Sequence, residues 1–112
     1  MSDCLFCGIA EKRIPTKVLR EDASTLAFPD IAPVAPLHAL VIPKRHLAAW
    51  RDVDDPQLAA ALFAACAAVA RDAGYDEGGY RIVANTGADA GQSVRHLHLH
   101  VLGGRRFAWP PG

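Results

Sequence analysis

Three histidines, His96, His98 and His100, alternate with apolar residues near the C-terminal end of the sequence. Because side chains on a β-strand point alternately to its two faces, an extended backbone would place these imidazoles in one row, about 7 Å apart. Leu97 and Leu99 would then face a core. Imidazole attacks, donates, accepts or binds a metal near neutral pH, so the row can carry chemistry. The plainer alternative is the solvent face of an edge strand, which gives no reason for three imidazoles in a chain with five histidines.

Two kinds of chemistry fit this row. In the first, one neutral imidazole attacks phosphorus and forms a covalent phosphohistidine, which water then resolves. Neighbouring donors would stabilise the charge that gathers on the phosphoryl oxygens. In the second, the histidines bind zinc, and a catalytic zinc would need a further protein ligand and an open position.

A loop of small residues directly precedes the row and contains Gly91, Gln92 and Ser93. Glycine lets a backbone approach a ligand closely, and successive N–H groups in such a loop form a concavity that binds anions. The Ser93 hydroxyl and the Gln92 amide add further polar groups. The loop is therefore a candidate phosphate cradle, although loops of this composition are also ordinary turns.

The composition excludes several classes of function. The 112 residues are 51% hydrophobic with a formal net charge of zero, which is typical of one globular domain over residues 1–112 and argues against nucleic acid as a partner. No apolar run approaches the roughly 20 residues that span a membrane, and no signal peptide opens the sequence. The three cysteines, an odd number, do not indicate a disulfide framework. We therefore expect a cytoplasmic protein with no membrane partner.

The order of the segments predicts an α+β fold with a mainly antiparallel sheet. A short helical turn or loop is expected around Cys4 and Cys7, before the first strand. Apolar and β-branched runs predict the strands, which we place at residues 17–20, 25–28, 38–43, 80–85 and at the histidine row.

One long helix is predicted over residues 56–73, because Asp55 and Pro56 are typical of a helix start and Gly74 of a helix end. No charged residue lies between Asp55 and Arg71. A helix that is apolar all round is typical of burial on more than one side, which favours packing on its own sheet and on a second subunit. The alternative is an alanine-rich helix chosen for propensity alone.

Taken together, these segments resemble the histidine-triad (HIT) family of nucleotide-binding proteins, and within it the Hint branch of nucleoside phosphoramidate hydrolases. The resemblance covers nearly the whole chain. It rests on the triad, on Asn85, and on residues 28–33, 38–46, 91–93, 102–105 and 109–112. It implies a HIT-like fold, with a five-stranded sheet, one long helix and sheets that join across a homodimer.

The resemblance also implies a role for each matching histidine. His98 would be the nucleophile that forms a nucleotidyl-histidine, and His100 would contact the phosphate and the leaving group. His38, on the neighbouring strand, would support this catalytic network. The implied nucleotide-binding residues are His98 and His100 themselves, Asp30 at the ribose, Ile31 at the base, Asn85 near the sugar and phosphate, Gly91, Gln92 and Ser93 at the phosphate, and Trp109 reaching the partner's active site.

Cys4 and Cys7 have the spacing of a metal-binding pair. In zinc-bearing HIT relatives such a pair joins a histidine after the third strand and the first triad histidine, which here are His46 and His96. A site of two cysteines and two histidines is closed and structural, so the resemblance implies structural zinc and no catalytic metal. This would assign His96 to the metal and leave the other two triad histidines to the phosphate. The alternative is two thiols near a flexible end.

The expected function is hydrolysis of nucleoside 5′-phosphoramidates of adenosine or guanosine, with a purine nucleoside monophosphate or phosphoramidate as the bound partner. His100 favours hydrolysis over transfer, since the nucleotidyltransferase branch of the family resembles His-x-His-x-Gln. Two alternatives stay open. One is a purine-nucleotide-binding regulatory module with incidental turnover, and the other is a dinucleoside polyphosphate hydrolase.

Overall fold

The computed structural model describes residues 3–112, so Met1 and Ser2 of the predicted domain lie outside the described residues. Five strands form one antiparallel sheet in the order β1-β2-β3-β5-β4, which confirms the predicted α+β class. The elements in chain order are α1 (Leu5–Ala10), β1 (Arg20–Glu21), β2 (Thr25–Pro29), β3 (Leu37–Pro43), a 3-10 helix (Trp50–Asp52), α2 (Pro56–Asp72), β4 (Tyr80–Val83) and β5 (Leu99–Gly103).

The long helix α2 begins at the predicted residue and ends one residue before the predicted end. The Asp55 carboxylate accepts from the backbone N–H of Gln57 at 2.9 Å, and Pro56 occupies the first turn, where its missing N–H costs nothing. Gly74 follows the helix with a φ of +88°, as expected of a residue that ends a helix. None of the helices in residues 3–112 is long and apolar enough to cross a membrane.

Two strands are shorter than predicted. β1 covers only Arg20–Glu21, so it begins three residues after the predicted start and ends one residue beyond the predicted end, where the carboxylate of Asp22 turns the chain. That carboxylate accepts from the N–H groups of Ser24, at 2.9 Å, and Thr25, at 2.7 Å. β4 ends at Val83, two residues before the predicted end at Asn85.

Apolar layers cover both faces of the sheet. Helix α2 packs on one face and helix α1 on the other. Leu97, Leu99 and Val101 are buried on the α2 face, which confirms that the apolar residues of the histidine segment enter the core. Leu40 pairs with His100 in the sheet and belongs to the α1 layer, so the imidazole of His100 lies on the α1 face.

The histidine strand starts later than predicted, at Leu99, so the expectation that His96 and His98 lie on it is wrong, and only His100 of the three is within β5. In the observed register Val41 faces Leu99, and two residues further the partner is Pro43, which has no N–H to donate. The N–H of Leu97 donates instead to the carbonyl of Leu47 at 2.7 Å. The chain therefore bends before the strand, although the ring of His96 still contacts Phe6 of α1, on the same side of the sheet as His98.

Candidate active site and metal cluster

A cavity of about 480 Å³ opens on the α1 face of the sheet, beside the histidines. Two of the triad histidines, His98 and His100, line it, together with Asp30, Ile31 and Ser93. The rest of its wall is mainly apolar and comes from α1, the segment after it, β2, β3 and the loop before the triad: Leu5, Phe6, Ile9, Ile14, Pro15, Thr16, Lys17, Phe28, Pro29, Leu40 and Val94. The cavity is therefore polar at the histidines and apolar at α1, which suits a ligand with a charged and a flat apolar part.

The imidazole of His98 is fixed by the backbone just before it. His98 is 5% exposed, and its Nδ1 lies 2.8 Å from the carbonyl oxygen of His96. A carbonyl only accepts, so Nδ1 carries the proton and Nε2 carries the lone pair of the neutral ring. His98 thus has the tautomer of a nucleophile, whose attacking nitrogen is Nε2.

His38 and His100 form a hydrogen-bonded chain that starts at a backbone amide. The N–H of Val34 donates to His38 Nδ1 at 3.1 Å, so neutral His38 carries its proton on Nε2. That Nε2 lies 2.9 Å from His100 Nδ1 and donates to it. Neutral His100 therefore carries its proton on Nε2, which can donate to a ligand. Burial, with smaller effects of His98 and His38, lowers the pKa of His100 and favours its neutral form.

Asp30 and Ile31, predicted to bind the nucleoside, lie at the end of β2. One oxygen of Asp30 accepts from the N–H of Ala32 at 2.8 Å, and the other lies 3.4 Å from His38 Nε2. Asp30, His38 and His100 place their ligand atoms within 4.8 Å of one another and could also hold a cation. Ile31 is fully exposed, at 101%, on the rim of the cavity. The structure thus brings both residues to the cavity, and their roles stay predictions.

The loop before the triad presents only one of its three predicted residues to the cavity, Ser93. The N–H groups of Gly91 and Gln92 donate within the loop, to Ala88 and Gly87. The side chain of Gln92 ties the loop down, since its Nε2 donates to the carbonyl of Ala48 at 2.6 Å and its Oε1 accepts from Gly87 at 3.0 Å. The Gln92 side chain therefore holds the loop in place.

Two further predicted residues lie away from the cavity wall of their own chain. Asn85 is half-buried just after β4. Trp109 is 82% exposed in the C-terminal segment. That segment is held by Phe107, whose ring lies 4.3 Å from the Arg105 guanidinium and 5.2 Å from that of Arg81. The predicted contact of Trp109 with a nucleotide in a second subunit stays a prediction.

The four predicted metal ligands come together. The ligand atoms of Cys4, Cys7, His46 and His96 all lie within 4.8 Å of one another. His96 Nδ1 lies 3.3 Å from Cys4 Sγ, 3.5 Å from Cys7 Sγ and 3.1 Å from His46 Nδ1. Ligand atoms around a tetrahedral zinc stand about 3 to 4 Å apart, so the spacing fits that ion.

The tautomer of His96 also suits a metal ligand. Its Nε2 donates to the carbonyl of Pro43 at 2.9 Å, so Nδ1 presents its lone pair to the two sulfurs and to His46. His96 is fully buried, and burial lowers the pKa of its imidazole, which favours the neutral form that binds metal. The donor set of two cysteines and two histidines therefore fits structural zinc.

Sequence reasoning missed the apolar wall of the cavity. Phe6 and Ile9 are buried residues of α1 that touch the cavity, and Leu5 and Ile14 complete this wall. The spacing of Phe6 and Ile9, three residues apart, is a helical signal. The apolar pattern is too short to distinguish a helix from a loop, because α1 has only six residues.

The fold and the site define a class: an antiparallel α+β protein that presents two histidines, at the start of strand β5, to one cavity, with a third histidine on the adjacent strand β3 hydrogen-bonded behind them. The HIT domain profile matches residues 11–107. An uncharacterized HIT-like protein from Synechococcus elongatus is 46% identical over 112 residues, which cover 98% of this chain and 97% of the relative. The chain belongs to the HIT family.

Solved structures agree with this assignment. A HIT family hydrolase from Legionella pneumophila is 48% identical, with a TM-score of 0.94 over 98% of this chain and 100% of that chain. A histidine triad protein from Clostridium difficile is 39% identical, with a TM-score of 0.91 over 96% of each chain. A histidine triad nucleotide-binding protein from Candida albicans is 31% identical, with a TM-score of 0.84 over 96% of this chain and 83% of that one.

Proposed function

We propose that this protein hydrolyses the phosphorus–nitrogen bond of purine nucleoside 5′-phosphoramidates through a nucleotidyl-histidine at His98, with residues 1–112 acting as one domain. The observation that carries the proposal is the tautomer of His98, whose bond to the His96 carbonyl leaves the Nε2 lone pair for attack. The relatives support it, since one is called a hydrolase and another a nucleotide-binding protein.

In the first step, His98 Nε2 attacks the phosphorus and forms a new phosphorus–nitrogen bond. The bond to the substrate amine breaks, and the amine leaves with its electron pair and takes up the proton of His100 Nε2, which water then restores. His100 Nε2–H is the donor placed for the phosphoryl oxygens and the leaving group, because His38 occupies the other nitrogen of His100.

In the second step, water attacks the same phosphorus and His98 Nε2 leaves with the electron pair of its bond. The water loses one proton to solvent, and the products are a nucleoside monophosphate and the unmodified imidazole. The overall reaction consumes one water and releases one amine, so no cofactor is consumed.

The cavity suits the nucleotide that this reaction requires. The carboxylate of Asp30 would accept from the ribose hydroxyls, and Ser93 would donate to the phosphate. The apolar wall of Phe6, Ile9 and Ile14 would cover the face of a purine, with Ile31 closing the rim. Gly91 and Gln92 would act by shaping the loop that carries Ser93, because their N–H groups donate within it. Asn85 would support the sugar and phosphate.

Turnover separates the candidate functions. We expect wild-type protein to release adenosine monophosphate from adenosine 5′-phosphoramidate, and His98→Ala to lose this activity while still binding adenosine monophosphate. Faster hydrolysis of a diadenosine polyphosphate would favour the polyphosphate hydrolase instead. Binding of adenosine monophosphate with no turnover of either substrate would leave only the regulatory module.

We also propose that Cys4, Cys7, His46 and His96 hold structural zinc. The metal would cross-link α1 to the segment that follows β3 and to the segment that precedes β5. Its contribution would be structural. Native mass spectrometry should find one zinc per chain in wild-type protein and none in a Cys4→Ala/Cys7→Ala variant. Cys66→Ala is the matched control, because Cys66 is buried in α2 away from the cluster.

A homodimer is proposed on two observations. β4 is an edge strand of the sheet, and α2 leaves Phe63 48% exposed beside the exposed Ala60 and Ala64. An apolar helix face and an open strand edge both favour a second copy as the cover. Light scattering should give twice the chain mass for wild type and the single mass for Phe63→Glu; a monomeric wild type would contradict the proposal.

A further inference from the structure

One residue belongs to both sites of this protein. The ring of His96 contributes Nδ1 to the metal cluster, and the backbone carbonyl of His96 accepts the proton that fixes the tautomer of His98. Both ring nitrogens of His96 are engaged, since Nε2 donates to Pro43. Its backbone lies in the bent segment before β5, outside the strand pairing, where the N–H of the same peptide group, that of Leu97, donates to Leu47. The position of that carbonyl therefore depends on this one backbone hydrogen bond and on what holds the His96 ring.

Phe6 links the same two sites from the other side. It lies between Cys4 and Cys7 on α1 and is 5% exposed. Its ring meets the ring of His98 edge to face at 5.2 Å between centroids, and that of His96 at 5.9 Å. A cluster that holds both cysteines thus holds Phe6 against the imidazole of His98.

We propose that the metal-loaded cluster of Cys4, Cys7, His46 and His96 positions the attacking imidazole, with the His96 carbonyl and the Phe6 ring as the two contacts that transmit its state. The inference rests on the proposed function. Metal loading keeps the proton of His98 on Nδ1, so that Nε2 keeps its lone pair for attack. Loss of the metal lets the segment before β5 move, which allows the proton to settle on Nε2 and block attack.

The contacts predict that His96 and Phe6 are positioning residues. Catalytic groups displaced by about 1 Å lose rate by up to roughly 100-fold, so a modest shift of the His96 carbonyl is sufficient for the effect. By reciprocity, a nucleotide that binds only the ordered site would also slow the release of zinc to a chelator.

The test measures the tautomer of His98 by nitrogen-15 NMR of the imidazoles, in zinc-loaded protein and after chelation. Cys4→Ala/Cys7→Ala is the cluster variant, and Cys66→Ala is its matched control. Phe6→Leu is a second variant, which keeps all four ligands and removes only the ring. Near-ultraviolet circular dichroism checks that each preparation stays folded, and native mass spectrometry reports its zinc.

Zinc-loaded wild type and Cys66→Ala should show His98 with the proton on Nδ1 alone. Chelated protein and the cluster variant should show mixed tautomers, and turnover of adenosine 5′-phosphoramidate should fall about ten-fold. Phe6→Leu should keep its zinc and still show mixed tautomers. An unchanged His98 spectrum in folded, metal-free protein would overturn the inference. If the zinc-loaded wild type shows the expected spectra but no turnover, the proposed function fails and the coupling stands.

Discussion

The imidazole of His98 donates its Nδ1–H to the backbone carbonyl of His96, with 2.8 Å between the two atoms. This bond does for His98 what a carboxylate does in many catalytic histidines, because it selects one tautomer. It acts between residues two apart in the chain, so the bend before β5 is part of the site. Had the strand included His96, as the alternation predicted, that carbonyl would be directed into the sheet.

His38 determines the tautomer of His100, which gives the first prediction. We expect His38→Ala to lower turnover of adenosine 5′-phosphoramidate by about 10²-fold or more, because His100 loses the donor that keeps its own proton on Nε2. Steady-state kinetics measures the effect. Val34→Ala is the control, since Val34 contributes only its backbone N–H to the hydrogen-bonded chain of His38 and His100. Equal losses in the two variants would argue against the relay.

Gln92 is predicted to act on the loop and not on the ligand. Gln92→Ala removes the hydrogen bonds to Ala48 and Gly87, so hydrogen exchange of residues 87–94 should become faster, and activity should fall as a consequence. Ser93→Ala should reduce activity without changing exchange, because the Ser93 hydroxyl is proposed to contact phosphate. Unchanged exchange in Gln92→Ala would show that the side chain is not what holds the loop.

The pH dependence of stability follows from His100. Burial lowers its pKa below the ordinary value of 6.5, so between the two values the unfolded chain binds more protons than the folded one. The free energy of unfolding is therefore lost as pH falls through this window. Urea unfolding at about pH 7.5 and 5.5 should show a larger acid loss for wild type than for His100→Gln, whose amide does not titrate. A larger loss in the variant would contradict the direction.

Gly104 is predicted to be essential for the turn after β5. Its φ is +92°, and an added Cβ would lie 2.7 Å from Cβ of Pro36 and 2.9 Å from Cζ of Tyr75. We expect Gly104→Ala to lower the free energy of unfolding by about 2–4 kcal/mol, from left-handed strain and overpacking together. Gly74→Ala is the control, because Gly74 has a φ of +88° but no atom within 4 Å of an added Cβ. Urea unfolding that gives equal losses for both would remove the packing argument.

Much of the fold could be predicted from local signals. The start of α2 at Asp55 and Pro56 and the burial of Leu97 and Leu99 follow from capping and from strand alternation. The same alternation placed His96 and His98 within the strand, which begins only at Leu99, because the sheet register depends on Pro43, more than fifty residues earlier in the sequence. Local period carries no information about such a distant partner.

The same difference between local signals and contacts across the sequence applies to the site. The residue types of the histidines and of the cysteine pair indicated their chemistry, and the structure brings the four metal ligands together. The inward side chain of Gln92 and the apolar wall from α1 could not be predicted, since both depend on contacts between segments far apart in sequence. The tautomers of His98 and His100 likewise need three-dimensional hydrogen-bond partners.

The most direct test of the central claim is the intact mass of the protein during turnover. Wild-type protein is mixed with adenosine 5′-phosphoramidate, quenched with denaturant at alkaline pH, and analysed whole and after proteolysis. The account predicts a transient adduct of one adenylyl group on His98, absent in His98→Ala. Turnover by His98→Ala at the wild-type rate, or an adduct on another residue, would contradict it.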